Sequence, residues 1–210
     1  MSRIKGNVVP THIRDQARKV AQHEMGHYVM ARVMGFVTDG VSIEIRHNGH
    51  LGGATVQLSE SLRSLDDVSS YLKRRVLVLY AGAMAETLHP AHIPKSGVDQ
   101  EMAVKILNEG LGAEQDYAKA REAILLLRNI EHPGTLEEGD VQQELNELAQ
   151  SLWDRTVEVV ELLESTIVGV AGALTERLHS AGPREPYVAA FSKDDLEEIP
   201  NLMELPSLKP

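Results

Sequence analysis

The stretch Val20-Ala21-Gln22-His23-Glu24-Met25-Gly26-His27 decides how the rest of this chain is read. Around it Ile13, Ala17, Val20, Ala21 and Met34 recur at helical spacing, with Thr11 behind Pro10 as a candidate cap and Gly35 as a candidate stop. The spacing predicts one helix from Thr11 to about Gly35. On such a helix a step of four residues returns to the same face one turn later, so His23 and His27 can meet one ion. Neutral imidazole is a zinc ligand, and two nitrogens from one rigid helix fix half of a tetrahedral shell. Glu24 is rotated away from the pair. It can therefore reach a water on the metal, where a carboxylate takes the proton of a water attacking a carbonyl. His-Glu-x-x-His within a helix points to metal-dependent peptide hydrolysis.

A catalytic zinc site needs a third protein ligand and keeps its fourth position open. A third His soon after the motif is excluded, because Met30 and Val33 stand in the required places. Glu44, Glu60, Glu86, Asp99, His89 and His92 remain as candidates. Asp99 starts a predicted helix behind a loop containing Gly97, which would hold its backbone firmly, but it also reads as a plain helix cap. Spacing does not choose among the six.

Outward from the motif, Val41 to Arg46 alternates apolar and polar as a half-buried strand does, and His47-Asn48-Gly49 has turn chemistry. Ala54 to Leu58 then reads as the second strand of a hairpin. Ser64 and Asp67 form a capping-box pair ahead of a helix to about Leu88, whose middle, Val76 to Ala85, is apolar on nearly all sides and so is expected at the domain centre. Helical patterns follow at about Asp99 to Asn108, Glu114 to Ile130 and Gly139 to Leu178, the last bent near Ser165. Ser192 with Asp195 starts a short final helix. Gly169 and Gly172, in an apolar helical stretch, are expected to mark close helix approach, across an oligomer contact if one forms. The leucines at 107, 111, 125–127, 145, 148 and 152 read as ordinary helix packing.

The chain has 210 residues, 42% hydrophobic and 25% charged, with a formal net charge of −10 and no cysteine. That length fits one ordinary domain. Lack of cysteine excludes disulfides, thiolate metal sites and a Cys nucleophile. The acidic balance argues against nucleic acid as a partner, since phosphate binding needs a basic footprint. No apolar run reaches the roughly 18 residues needed to span a bilayer, and no secretory signal is visible, so the expected location is cytoplasmic.

Several stretches together resemble the peptidase domain of the FtsH-type ATP-dependent zinc proteases. Residues 20–27 are similar to the family's zinc helix, and Gly52-Gly53-Ala54-Thr55-Val56-Gln57-Leu58 to its edge strand. Ala81-Gly82-Ala83-Met84-Ala85-Glu86 is similar to its Gly-Gly-Arg-Ala-Ala-Glu segment, with Ala83 where Arg is usual. Ser96-Gly97-Val98-Asp99-Gln100-Glu101-Met102-Ala103 is similar to the segment carrying its third ligand, with Val98 where Asn is common. Phe191 to Leu196 resembles its closing segment. The similarity runs from about Thr11 to Ile199.

The resemblance implies a mainly α fold, a helical bundle with a small β-hairpin or sheet next to the zinc helix. It implies a zinc metallopeptidase domain (11–200) behind an N-terminal extension (1–10), while Pro200, Pro206 and Pro210 mark 201–210 as a loose tail. It implies Zn2+ held by His23, His27 and Asp99, Glu24 as general base, and Glu86 orienting a ligand imidazole. Gly52, Gly53, Ala54, Thr55 and Val56 would bind a peptide or unfolded protein as an added strand. No phosphate-loop pattern occurs, so an ATPase, where one is used, is expected on a separate chain. A homo-oligomer is compatible with the family. The alternatives are a catalytically silent peptide-binding module of the same fold, or a protease subunit dependent on that separate ATPase.

Overall fold

Helices α1 (Thr11–Val33) and α2 (Leu65–Glu86) cross at the centre of the computed structural model, which describes residues 9–90, 97–182 and 186–210. Pro10, rather than Thr11, is the N-cap of α1: its carbonyl accepts from the Arg14 N–H at 3.0 Å, and no side chain caps the helix. At the other end Gly35 takes φ 82°. Its N–H reaches the Arg32 carbonyl at 3.1 Å and the Phe36 N–H the Ala31 carbonyl at 2.9 Å, a Schellman closure that only a left-handed residue completes cheaply. The predicted stop at Gly35 thus has its physical cause.

Ser64 caps α2 through the expected box, its hydroxyl accepting from the Asp67 N–H at 3.1 Å while the Asp67 carboxylate accepts from the Ser64 N–H at 3.0 Å. The apolar run from Val76 to Ala85 is buried throughout. α1 and α2 touch at Gly26: a Cβ there would lie 2.5 Å from both the Ala81 carbonyl oxygen and Ala85 Cβ. Gln22 seals the same contact, its buried amide donating to the carbonyls of Ala85 at 3.1 Å and Leu88 at 2.9 Å at the end of α2. This close approach, one residue before His27, brings α2 against the motif. Gly169 and Gly172 do not play that part within the chain, since a Cβ on either meets open space.

The hairpin is β1 (Val37–Arg46) and β2 (Gly49–Gln57), joined by a two-residue turn at His47-Asn48. Both strands are longer than the alternation predicts. An irregularity between Thr38 and Val41 breaks the period in β1, and the glycines of β2 carry no strand propensity. Val41, Ile43 and Ile45 point into the core. Two strands that the sequence does not advertise, β3 (His179–Ser180) and β4 (Tyr187–Phe191), complete an antiparallel sheet of order β2-β1-β4-β3. In it Ile43 pairs Gly52 on one side and Ala189 on the other. Among the described residues β2 therefore has one unpaired edge, and α1 packs against the strand.

The remaining helices are α3 (Gln100–Asn108), α4 (Glu114–Glu131), α5 (Glu138–Leu162), α6 (Glu164–Glu176), α7 (Lys193–Glu197) and α8 (Pro200–Met203). The molecule is mainly helical with a small sheet beside α1, and one hydrophobic cluster runs from Val9 to Leu202. Leu107, Leu127 and Leu152 are buried in it, whereas Leu111, Leu125 and Leu126 are exposed. Residues 201–210 are not loose. Leu202 is buried, the Leu208 N–H donates to the Val33 carbonyl at 2.8 Å, and Arg155 donates to the Lys209 carbonyl at 2.8 Å. Apolar Leu202, Leu205 and Leu208 between the prolines supply the burial that ties the segment down. Most of the N-terminal extension (1–8), together with His92, Lys95, Ser96 and Pro183, lies outside the described residues. Among the described residues no helix is long and apolar enough to cross a membrane.

Candidate metal centre

His23 and His27 project from one face of α1, their rings 4.8 Å apart between centroids. Each ring is held by its Nδ1. That of His27 donates to the Val78 carbonyl at 2.7 Å, and that of His23 to the Glu86 carboxylate at 3.2 Å. A carbonyl or carboxylate can only accept, so both Nδ1 atoms carry the hydrogen and both Nε2 atoms are left to bind a cation. Both Nε2 atoms face the same carboxylate, Asp116: its Oδ2 is 3.2 Å from His27 Nε2 and 3.7 Å from His23 Nε2. Among the described residues His23, His27 and Asp116 form the group of three side chains able to hold one ion, with ligand atoms all within 4.8 Å.

The third member corrects the sequence expectation. Asp99 is the N-cap of α3, its Oδ1 accepting from the Met102 N–H at 3.0 Å, while its own N–H donates to Thr87 Oγ1 at 3.1 Å beyond the end of α2. Its carboxylate is spent on a cap. Glu60 binds Arg74 at 2.6 Å, Glu44 pairs with Arg46, and Glu86 reaches His23 on the outward nitrogen rather than the inward one. Glu86 thus stands where the resemblance puts it. Asp116 was findable, because it repeats the signal that favours Asp99: Gly110 and Gly112 make a loop, both with positive φ, and Asp116 sits in the first turn of the next helix. Two equivalent loop-then-helix acids cannot be ranked without knowing which helix packs against α2.

The charges around this point call for a cation. Burial alone would lower the pKa of His23, yet the Asp116 and Glu86 carboxylates outweigh it and raise the value to about 9. Burial would likewise raise that of Asp116, but when the imidazoles are protonated their inward Nε2–H groups hydrogen-bond to it and hold it well below the usual carboxylate range. The space is also shaped for an ion. A Cβ on Gly82 of α2 would lie 2.7 Å from His23 Nε2 and closer still to His27 Nε2, so only glycine leaves that volume open. Zinc with ligand bonds of about 2.0–2.1 Å holds tetrahedral ligand atoms about 3.3 Å apart. Two inward imidazole nitrogens and a carboxylate oxygen at these spacings therefore fit it.

Comparison with known proteins adds nothing to this geometry. No protein-family model matches the chain, and no curated protein matches it in sequence.

Glu24 follows His23 on α1 and is buried, and it accepts no hydrogen bond from the described residues. Its carboxylate packs on Gly52 of β2, where any Cβ would overlap it. Gly52 thus has a steric part beside its expected one in peptide binding. With Glu24, the side chains of His23, His27 and Asp116 line a cleft of about 520 Å³, bordered by β2 on one side and by α2 and the start of α4 on the other. Gly52, Ala54 and Val56 line it with the period of two that a strand requires. Gly53 pairs Ser42 and Thr55 is exposed, and both alternate to the opposite face.

Proposed function

We propose that the chain is a zinc-dependent metalloendopeptidase acting on peptides or unfolded proteins. The observation that carries this reading is Glu24: a largely buried carboxylate that opens into the cleft and takes no hydrogen bond from the described residues, beside the group of three side chains able to hold an ion. His23, His27 and Asp116 would hold the ion, with Glu86 and the Val78 carbonyl fixing both imidazoles by their Nδ1 hydrogens. Zinc held there would supply a Lewis acid that polarises a carbonyl and acidifies a water molecule. Glu24 takes a proton from the attacking water and delivers it to the leaving amine, the ordinary double duty of such a carboxylate. The free edge of β2 supplies main-chain donors and acceptors for an extended peptide. Backbone hydrogen bonds read no side chains, which favours many sequences over one.

The test is Glu24→Gln. The amide cannot accept the proton, so cleavage of casein and of an internally quenched peptide should fall by roughly 100-fold to 10,000-fold with zinc still bound. Chelation should abolish wild-type cleavage and zinc restore it. Cleavage at the wild-type rate by the Gln variant would refute the role of Glu24. Absence of cleavage by the zinc-loaded wild type would favour the silent peptide-binding module, or, where an added ATPase chain restores it, the dependent subunit.

A further inference from the structure

Arg75 is a partly buried cation in the cleft to which the chemistry above gives no task. Its neighbour Arg74 is fully engaged: it donates to Glu60 at 2.6 Å and to the Met34 carbonyl at 3.2 Å, and it stacks on Phe36 at 4.8 Å. Arg75 is half-buried, lines the cleft, and makes no hydrogen bond or ion pair with the described residues. Burial works against its charge, while the neighbouring Tyr71 hydroxyl and, less strongly, the field of Asp116 support it. None of the acids of the cleft forms an ion pair with Arg75 among the described residues. Asp116 and Glu86 bind the imidazoles, Glu24 packs on Gly52, and Glu114 accepts from the Gly112 N–H at 3.1 Å. A second cation, Lys119, lies exposed on the same cleft, one turn past Asp116.

Its position along the cleft follows from α2. Gly82 faces the two imidazoles, and Arg75, seven residues earlier, lies on nearly the same helix face about 10 Å along the axis. The Tyr71 hydroxyl donates to the Leu58 carbonyl at 3.3 Å, so the start of α2 lies against the far end of the 52–58 segment. Arg75, one turn on from Tyr71, therefore flanks the cleft towards Val56 and Leu58, away from Gly52 and Glu24. In an extended peptide at about 3.3 Å per residue, 10 Å is about three residues.

We propose that Arg75 is a specificity-determining residue that binds a carboxylate of the peptide, an Asp or Glu side chain or the C-terminus, about three residues from the bond cut. A partly buried guanidinium that spends no donor on the described residues is matched by a bidentate carboxylate. The inference rests on the peptidase reading, and its test separates the two.

Zinc-loaded Glu24→Gln protein is titrated with fluorescein-labelled Ala/Val peptides and binding is read by anisotropy, so no turnover is needed. Twins carry Asp or Asn at successive positions, and a second pair ends in a free acid or an amide; these arms tell a side chain from a terminus. The acid twin of one arm should bind roughly 10-fold to 100-fold more tightly, the worth of a hydrogen bond to a charged group. Adding Arg75→Gln should erase the difference, and adding Arg75→Lys should keep part of it. Twins of equal affinity in the protein that retains Arg75, including no binding by either, overturn the proposal, as does a preference that survives Arg75→Gln. A preference in binding beside a wild-type protein that cleaves nothing would instead overturn the peptidase reading alone.

Discussion

Two aspartates of the same local character, Asp116 and Asp99, make opposite predictions. In the structure Asp116 Oδ2 lies 3.2 and 3.7 Å from the two ligand nitrogens, near the roughly 3.3 Å of a tetrahedral zinc shell. Losing only an outer hydrogen-bond partner of a metal ligand costs about 10-fold to 100-fold in affinity. Losing the ligand itself should therefore cost at least about 100-fold, or about 2.8 kcal/mol at 1.4 kcal/mol per factor of ten. Asp116→Ala and Asp116→Asn should both lose zinc under competition with a chromophoric chelator, while circular dichroism of the metal-free proteins stays wild-type. Asp99→Ala removes the bond to the Met102 N–H and should cost about 1 kcal/mol of stability. In a chain of this size that is a fall of about 2–4 °C in Tm. Its zinc affinity should not change. Zinc retained by both Asp116 variants, or lost from Asp99→Ala, would refute the assignment of the third ligand.

Gly82→Ala should abolish zinc binding without touching any ligand, because its Cβ would lie 2.7 Å from His23 Nε2; full zinc content would show that the ion sits elsewhere. Gly52→Ala should leave zinc content intact and lower kcat at least about tenfold, because the new Cβ would stand 2.8 Å from Glu24 Cδ and displace the carboxylate; a wild-type kcat would show that its placement does not matter. Far from the cleft, Asp195 bonds Ser192 and Arg177, which hold its carboxyl at about 2. A folded pKa below the unfolded one stabilises the protein above the unfolded value of 3.8, and that stability is lost as pH falls through about 2. Asp195→Asn should therefore lose less Tm than wild type between these values, and parallel Tm–pH curves would disprove the link.

Much of the architecture was legible because its causes are local. The capping boxes at Ser64 and Ser192, the stop at Gly35 and the apolar run of α2 each act within a turn or two of chain. The residues 179–180 and 187–191 gave no such signal, since strands of two and five residues exist only through pairing with each other and with β1. The packing of the tail is hidden from the sequence for a related reason. Its prolines argue for looseness locally, and its anchor, the Val33 carbonyl, belongs to α1.

The site divides along the same line. His23, Glu24 and His27 depend only on helical period, so the order of residues sets their relative placement before anything packs. Glu86 came from resemblance, and the contact of α1 with α2 sets its carboxylate 3.2 Å from His23 Nδ1. Which loop-borne aspartate stands beside the imidazoles depends on the packing of α4 rather than α3 against the motif-facing side of α2. Gly82 and Gly52 belong to this tertiary level too: their lack of a side chain acquires meaning only once the imidazoles and the Glu24 carboxylate occupy the space beside them. Periodicity along one helix is a property of the chain, whereas a coordination shell gathered from two helices far apart in sequence is a property of the packed core.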